Sequence, residues 1–336
     1  MGYKILIIKL GAMGDILQTT PLLTALKREH QQSHVTWVVN PASWDLLNDN
    51  PLIDRLIRAD SDAILRLDIE KFDLAINLDK EIGAVGLMMR TNAKTKHGFG
   101  LHESGNIYPL NELSEYAFDL GLSDELKFEK NTKTYQEFSF EQAGVKFNGE
   151  EYILPVDDAE ERHAQAFFAS AGVKPGDTVI GLNTGAGPVF QTKKWTVEGF
   201  VELADLIVNE LGAHVALLGG KSEIERNREI ARSVNAAVID TGTDNPLKRF
   251  IAIVGQCSAL VTSDTLGMHL AIGQRVPVVA LFGSTCEQEV ELYGRGTKIT
   301  ATPDCAPCYK QKCDTMKCMR RISSQHVFNA LKEILT

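Results

Sequence analysis

Short apolar runs alternate with amphipathic helical patterns along almost the whole chain, and this alternation limits the fold more than any other sequence feature. Tyr3–Lys9 has the continuous apolar character of a buried strand, and Ile16–Glu29 has the spacing of an amphipathic helix. The rhythm recurs in the second half, where the strand pattern at Thr178–Asn183 precedes the helix pattern at Thr196–Leu211. Such alternation predicts parallel sheets built from βαβ units.

The other predicted elements follow the same rhythm. Strands are predicted at His34–Val39, Leu74–Leu78, His214–Leu218, Val238–Asp240, Ala259–Ser263 and Val278–Leu281, and helices at Pro41–Leu47, Ile82–Met89, Asp158–Ala171, Ser222–Val234, Pro246–Gln256, Thr265–Ile272 and Ser324–Leu335. One sheet of so many strands would be unusually wide, so the sequence predicts an α/β protein with two facing, doubly wound, Rossmann-like domains. We place an N-terminal domain at 1–170, a C-terminal domain at 171–323 and a terminal helix at 324–336.

Length and charge narrow the class of protein further. The 336 residues correspond to about two domains. The formal net charge of −9 argues against a nucleic-acid partner, because nucleic-acid-binding domains usually have a basic face. The apolar run near the N-terminus is too short for a secretory signal or a membrane span, and no other run approaches the length of a spanning helix. We therefore expect a soluble, cytoplasmic protein.

The turns that follow the strands are the candidate sites, because ligands of open α/β sheets bind at the carboxyl ends of the strands. The first such turn, Lys9–Asp15, contains Gly11 and Gly14, which permit close approach of a ligand. Asp15 stands at the start of the next helix, either as a helix cap or as a functional carboxylate. The fingerprint G-x-G-x-x-G is absent from this turn, so a nicotinamide enzyme is not indicated.

A second glycine-rich turn, Thr184–Pro188, follows the strand that opens the second half, and Lys193 lies a few residues further on. Glycines and a lysine after a strand are suited to holding phosphate, although an ordinary flexible loop with solvated lysines has the same composition. A Walker loop is excluded, because Val215 occupies the position of its required first glycine before Gly220-Lys221-Ser222.

A third turn, Ser263–His269, carries hydroxyl and carboxylate groups at the start of a helix. These groups are common helix caps, and His269 is equally suited to a place in the core. The start of the helix also offers free N–H groups and positive potential, which suit a diphosphate. Asp264 would bind a sugar or ribose hydroxyl, or orient donor groups, better than it would face an anion.

Four cysteines lie close together near the C-terminus with the spacing C-x2-C-x4-C-x4-C: Cys305, Cys308, Cys313 and Cys318. Three interpretations stay open, namely a zinc or iron site, reduced structural thiols, and disulfides or redox switching. Basic residues surround them: Lys310, Lys312, Lys317, Arg320 and Arg321. These cations would lower the pKa of the thiols or face an anionic membrane.

Three segments together resemble the heptosyltransferases of glycosyltransferase family 9. They are Lys9–Leu17 with Thr20-Pro21, Lys193-Lys194-Trp195, and Ser263–Ala271 with Val278–Thr285. The segment Cys305–Arg320 is similar to the cysteine-rich tail of many members, so the resemblance covers nearly the whole chain. It implies two facing Rossmann-like domains of the GT-B type, with the active site in the cleft and the terminal helix packed towards the N-terminal domain.

The resemblance also implies an activity, which is inverting transfer of heptose from ADP-heptose to the inner core of lipopolysaccharide, with no metal required. Asp15 matches the general base and Lys193 the phosphate-facing lysine. The implied donor-binding residues are Gly14, Thr184, Gly185, Lys193, Glu223, Asp264, Thr265, Gly267 and His269. The implied acceptor-binding residues are Arg90, Lys94, Lys96 and His97. Peripheral contact with the cytoplasmic face of the inner membrane is consistent with such an acceptor.

Two other functions remain open. One is a transferase of the same fold that uses another nucleotide sugar, because motifs do not define the sugar. The other is a non-catalytic protein that senses metal or redox state through the cysteine-rich loop 305–318. Some candidate residues also have a simpler explanation, which is an ordinary solvent-exposed position with no binding role. This explanation suits the basic residues Arg90, Lys94, Lys96 and His97 equally well. A place on an exposed helix surface suits Glu223 equally well.

Overall fold

A computed structural model describes residues 2–336 of the chain. Its internal contacts divide the chain into two compact units. The first unit ends at Pro155 and takes in Gln288–Glu291, and the second comprises Val156–Glu287 and Leu292–Thr336. Within the described residues, no helix combines the length and the apolar character needed to cross a membrane.

The first unit is built on a six-stranded sheet. Its strands are β1 (Lys4–Ile8), β2 (His34–Val39), β3 (Arg55–Arg58), β4 (Lys71–Asn77), β5 (Asn92–Leu101) and β6 (Ile107–Pro109). The helices are α1 (Met13–Thr19), α2 (Pro21–Glu29), α3 (Ser61–Ile69), α4 (Ile82–Arg90), α5 (Glu115–Asp119) and α6 (Tyr135–Ala143), with shorter 3₁₀ turns at Pro41–Leu46 and Glu112–Ser114 and a π-helical turn at Leu126–Lys130. The strand order is β3-β2-β1-β4-β5-β6, and all neighbours are parallel except β5 and β6.

The second unit repeats this plan with strands that are all parallel. They are β7 (Val179–Asn183), β8 (His214–Leu218), β9 (Ile239–Asp240), β10 (Ala259–Ser263), β11 (Val278–Phe282) and β12 (Gly296–Thr300), in the order β12-β11-β10-β7-β8-β9. The helices are α7 (Asp158–Ser170), α8 (Val197–Leu206), α9 (Ile224–Ser233), α10 (Leu247–Gly255), α11 (Leu266–Gly273), α12 (Lys317–Arg321) and α13 (Ser324–Leu335), with 3₁₀ turns at Gln191–Lys193, Lys221–Glu223 and Glu287–Glu289 and a π-helical turn at Ile207–Leu211. Each sheet has the doubly wound order 3-2-1-4-5-6, which confirms the predicted fold class.

The central strands form the core of each unit. Residues Ile5 to Ile8 of β1 are completely buried, and every residue of β7, β10 and β11 is buried as well. Parallel strands covered on both faces need continuous apolar runs, because neither face meets water. This is why the apolar runs in the sequence locate the central strands so well.

The boundary between the units lies between Pro155 and Val156, earlier than residue 170. The helix α7 accounts for the difference, because it packs on α10 of the second unit and Nε of Arg249 donates to Oε2 of Glu160 at 3.0 Å. The terminal helix α13 has its extensive contacts with α8 and with β10, β11 and β12. The hydroxyl of Ser324 donates to Glu202 of α8 at 2.6 Å, so α13 completes the core of the second unit.

Candidate active site

The candidate residues of each unit lie where the strand order reverses. In the first unit the turn Lys9–Asp15 follows β1, which lies between β2 and β4. In the second unit the candidate turns follow β7 and β10, which are neighbours in the sheet. Doubly wound sheets bind ligands at this point because the loops on either side diverge and leave a crevice.

Asp15 is the third residue of α1, and its side chain is 44% exposed. The Oδ2 atom accepts a hydrogen bond from the backbone N–H of Ala12 at 3.4 Å and lies 3.8 Å from Nζ of Lys9. Within the described part of the chain, no hydrogen bond is donated to Oδ1. Asp15 thus caps the helix with one oxygen and leaves the other open to a ligand.

A buried ion pair, which sequence reasoning missed, lies behind Asp15. Lys9 and Asp79 are only 2% and 6% exposed, and Nζ of Lys9 donates a hydrogen bond to Oδ1 of Asp79. The backbone N–H of Leu10 donates to the other oxygen of Asp79. The sequence did contain a signal for this pair, which is a lysine at the end of a fully apolar strand. A lysine in that position is buried, and a buried charge requires a partner of opposite charge.

The second unit contains a cavity of about 450 Å³ at its switch point. The walls come from the loops after β7, β8, β9 and β10. The lining residues are Asn183, Gly185, Ala186, Gly187, Phe190, Lys193, Gly219, Gly220, Ser222, Glu223, Thr243, Asn245, Leu247, Phe250, Asp264, Thr265, Leu266 and Gly267. Five predicted donor residues besides Lys193 therefore line one cavity: Gly185, Glu223, Asp264, Thr265 and Gly267.

Asp264 forms an ion pair with Lys193 in the wall of this cavity. Nζ of Lys193 donates to Oδ2 of Asp264 at 2.8 Å, and Nε2 of His269 lies 3.9 Å from Oδ1. Burial acts to raise the pKa of Asp264, but the neighbouring Lys193 and His269 and a hydrogen bond from Thr285 outweigh it and lower this pKa. Asp264 is therefore an anion at neutral pH, and the ammonium group of Lys193 is held at the cavity wall.

The helix α11 starts directly beside Asp264. Nδ2 of Asn183 donates to Oγ1 of Thr265 at 3.0 Å and so fixes the entry to the helix. Gly267 cannot carry a side chain, because a Cβ atom there would lie 2.7 Å from Nδ2 of Asn183. Leu266 and Gly267 line the cavity, and their N–H groups belong to the first turn, where a helix supplies no acceptor. These N–H groups make the start of α11 suitable for an anion.

Glu223 is 3% exposed and lies against the glycines of the cavity. Its Oε2 accepts from the N–H of Gly220 at 3.2 Å, whereas Oε1 has no hydrogen-bond partner and lies 3.4 Å from Nζ of Lys194. A Cβ atom on Gly185 would lie 2.1 Å from Cδ of Glu223 and would displace this carboxylate from its place against the loop. Glu223 is therefore a buried carboxylate that lines the cavity beside Lys194, and it does not lie on an exposed helix surface.

Three predicted donor residues lie outside this cavity. The hydroxyl of Thr184 donates to Oδ1 of Asn227, so its side chain is buried in the fold. His269 is 5% exposed and lies behind Asp264. Gly14 belongs to α1 of the first unit and precedes Asp15. Conversely, the loop after β9 and the first turn of α10 add Thr243, Asn245, Leu247 and Phe250, which the sequence analysis did not single out.

Each of the four predicted acceptor residues has a partner within the protein. Arg90 forms an ion pair with Asp68, and Nζ of Lys94 lies 2.6 Å from Asp73. Nζ of Lys96 donates to the carbonyl groups of Met88 and Met89, and Nδ1 of His97 lies 2.9 Å from the carbonyl oxygen of Ala143. These residues do not form an open basic cluster, so their predicted role with an anionic acceptor requires some of these contacts to be exchanged.

The four cysteines of the C-terminal loop differ in their surroundings. Cys305 and Cys313 are exposed, Cys308 is intermediate and Cys318 is buried, and all four are free thiols. Hydrogen bonds lower the pKa of Cys313, whereas burial raises that of Cys318. Across residues 2–336, no group of three or more His, Cys, Asp and Glu side chains is arranged to hold a metal ion. The four thiols are therefore not gathered into a metal-binding arrangement, and the zinc or iron site stays a prediction.

Comparison with known proteins identifies the family. The family model "Glycosyltransferase family 9 (heptosyltransferase)" matches residues 64–319. Lipooligosaccharide heptosyltransferase 2 of Campylobacter jejuni is 22% identical over 333 residues, covering 96% of each chain. A glycosyl transferase family 9 structure from Veillonella parvula gives a TM-score of 0.78 at 24% identity, covering 99% of this chain and 97% of that one. The structure of E. coli ADP-heptose lipopolysaccharide heptosyltransferase II gives a TM-score of 0.71 at 19% identity, covering 99% of this chain and 98% of that one. With more than half of its length matched by the family model, this chain belongs to glycosyltransferase family 9, the heptosyltransferase family, and is a glycosyltransferase.

Proposed function

We propose that the protein transfers a heptose from ADP-heptose to the inner core of lipopolysaccharide, with inversion at the anomeric carbon. The observation that carries the proposal is the cavity of the second unit, where the ammonium group of Lys193 meets the free N–H groups at the start of α11. These are the groups that a diphosphate requires. The names of the Campylobacter and E. coli relatives support the heptose and lipopolysaccharide parts of the proposal.

The cavity offers a separate site to each part of a nucleotide sugar. Leu247 and Phe250 provide apolar surface for a nucleobase. The carboxylate of Glu223, which lines the cavity, is suited to accept hydrogen bonds from ribose hydroxyls. Lys193 and the N–H groups of α11 would bind the diphosphate and stabilise the negative charge that develops as ADP leaves. Asp264 holds Lys193 in place and has a second oxygen that suits a sugar hydroxyl.

Asp15 is the proposed general base. The open Oδ1 atom would take the proton of an acceptor hydroxyl while that hydroxyl oxygen attacks the anomeric carbon. The bond from the anomeric carbon to the diphosphate oxygen breaks on the opposite face, so a single displacement inverts the configuration. In this proposal the base comes from the first unit and the donor-binding groups from the second.

The basic residues outside the cavity are the proposed contacts to the anionic acceptor. In the first unit these are Arg90, Lys94, Lys96 and His97. In the second unit Lys317, Arg320 and Arg321 surround an open pocket of about 450 Å³ beside the cysteine-rich loop. The chain as a whole has a net charge of −9, so these cations are a local exception to its overall charge. Such a local excess of cations is suited to peripheral contact with anionic lipid on the cytoplasmic face of the inner membrane.

The activity can be tested with purified protein and a core acceptor that lacks its outer heptose. We expect transfer from ADP-heptose, and nuclear magnetic resonance of the product should show an anomeric configuration opposite to that of the donor. A strain without the protein should accumulate a core oligosaccharide that lacks one heptose by mass spectrometry. Transfer from a different nucleotide sugar alone, or retained configuration, would contradict the donor or the mechanism respectively.

The donor site can be tested separately by the substitution Glu223→Gln. We expect ADP to bind about 10-fold to 100-fold more weakly, because a hydrogen bond to a charged group contributes about 1.5–3 kcal/mol. Isothermal titration calorimetry with ADP measures the change directly. Glu225→Gln is the matched control, because Glu225 lies two residues away, is exposed and pairs with Arg228. Equal ADP affinity of the two variants would remove Glu223 from the donor site.

A further inference from the structure

The first unit contains a group of titratable side chains of which the mechanism above uses only one. Lys9 lies at the end of β1, Asp79 follows β4, Asp15 is in α1 and Tyr135 opens α6. We call these four residues the Lys9 cluster. Tyr135, Asp15 and Asp79 are the titratable groups that act on Lys9, and each comes from a different segment.

The ammonium group of Lys9 is held from two directions. It donates to Oδ1 of Asp79 and to the carbonyl oxygen of Gly11, which belongs to the turn that carries Asp15. Asp79 is itself fixed, because its backbone N–H donates to Oδ1 of Asn77 at 3.1 Å and its carbonyl oxygen accepts from Nδ2 of the same residue at 3.0 Å. The position of Nζ is therefore determined by buried groups and does not depend on solvent.

This fixed cation lies beside the carboxylate of Asp15. Oδ2 lies 3.8 Å from Nζ of Lys9 and accepts from the N–H of Ala12, so both contacts act on the same atom. Together they orient the carboxylate and direct Oδ1 away from the protein contacts. A general base needs this arrangement, because proton transfer requires the accepting oxygen to lie within hydrogen-bond reach of the acceptor hydroxyl.

We propose that Lys9, held by Asp79, is a positioning residue that fixes the carboxylate of Asp15 for proton abstraction. This inference rests on the proposed function, in which Asp15 is the general base. Burial acts to lower the pKa of Lys9, but its interactions with Tyr135, Asp15 and Asp79 outweigh burial and raise the pKa above the ordinary value. Lys9 therefore stays charged throughout the physiological range and acts by its position and not by exchanging a proton.

The test removes both buried charges together, because removing one partner of a buried pair leaves an unpaired charge and destabilises the fold. In the double variant Lys9→Met with Asp79→Asn, we expect kcat to fall about 10²-fold, the loss typical of a small misplacement of a catalytic group. The KM for the nucleotide sugar and the affinity for ADP should stay within about twofold, because the donor residues belong to the second unit. A kcat equal to that of the wild type would overturn the proposal.

The matched control is Lys27→Met with Asp54→Asn, a lysine–aspartate pair of the same unit with a 2.6 Å separation. We expect kcat to be unchanged in this control, so a similar loss in both double variants would mean a general structural effect. Lys9→Arg keeps a cation and should recover part of the rate. If the first double variant does not fold, Lys9→Arg alone is the second test, because it keeps the charge pair with Asp79 but moves the cation relative to Asp15 and should therefore lower kcat below the wild-type value.

Combination with Asp15→Asn separates this inference from the proposed function. If Lys9 acts through Asp15, adding the Lys9→Met and Asp79→Asn substitutions to Asp15→Asn should cause no further loss of kcat. If the losses multiply, Lys9 acts independently of Asp15 and the inference fails. If Asp15→Asn alone is fully active, the proposed general base is wrong. If Asp15→Asn is inactive while the double variant is fully active, only the role of Lys9 is wrong.

Discussion

Replacing Asp15 with asparagine is expected to lower kcat for sugar transfer by about 10²–10⁴-fold, the usual contribution of a general base. Asparagine retains the shape of the side chain and its hydrogen bond to Ala12, but it cannot accept the proton. The affinity for ADP should survive, because the donor-binding groups belong to the second unit. Steady-state kinetics with saturating donor and calorimetry with ADP measure the two quantities.

The matched control for this substitution is Asp60→Asn. Asp60 is exposed and caps the helix α3, because its Oδ1 accepts a hydrogen bond from the backbone N–H of Ala63 at 3.0 Å. If loss of helix capping caused the effect at Asp15, both variants would lose stability and a similar share of activity. Transfer by Asp15→Asn at the wild-type rate would exclude Asp15 as the base.

The second large effect is expected from Lys193→Met, which should lower kcat by about 10²–10³-fold, as does the loss of other groups that stabilise developing negative charge. The ammonium group of Lys193 is the cation that Asp264 holds in the cavity wall. Lys221→Met is the matched control, because Lys221 comes from the neighbouring loop and its ion pair with Asp244 is fully exposed to solvent. Rates measured at saturating donor should show the fall in kcat for Lys193→Met and no such fall for Lys221→Met.

A double substitution distinguishes two roles of Lys193. If Lys193 only neutralises Asp264, then Lys193→Met combined with Asp264→Asn should return kcat close to the wild-type value, since no unpaired charge remains. If Lys193 stabilises the leaving diphosphate, the double variant should stay as slow as Lys193→Met. We expect the second result, because Lys193 also lines the cavity beside the start of α11.

The sequence predicted the central strands well for a physical reason. β1, β7, β10 and β11 are covered on both faces, so their apolar runs are continuous and easily recognised. The sequence missed β3, β5, β6 and β12, where exposed and half-exposed residues break the apolar run. Strands of this kind take their place from their neighbours in the sheet and have no strong pattern of their own.

The candidate site was predictable only where its residues lie close together in the sequence. Asp264, Thr265 and Gly267 belong to a single turn, and that turn lines the cavity as predicted from strand ends. Asp79 lies 70 residues from Lys9, and only the parallel pairing of β1 with β4 brings them together. Thr184 illustrates the opposite error, because its neighbours in the sequence line the cavity while its own hydroxyl is used by Asn227.

The duplicated strand order has a consequence for how such an enzyme can be altered. Because each unit has its own sheet, core and switch point, the loops after β7, β8, β9 and β10 can change without disturbing the turn after β1. Chimaeras that exchange only those four loops with a paralogue should inherit its choice of activated sugar and keep the parental hydroxyl as the site of attachment. The repeated topology therefore offers a modular route to new glycoconjugates.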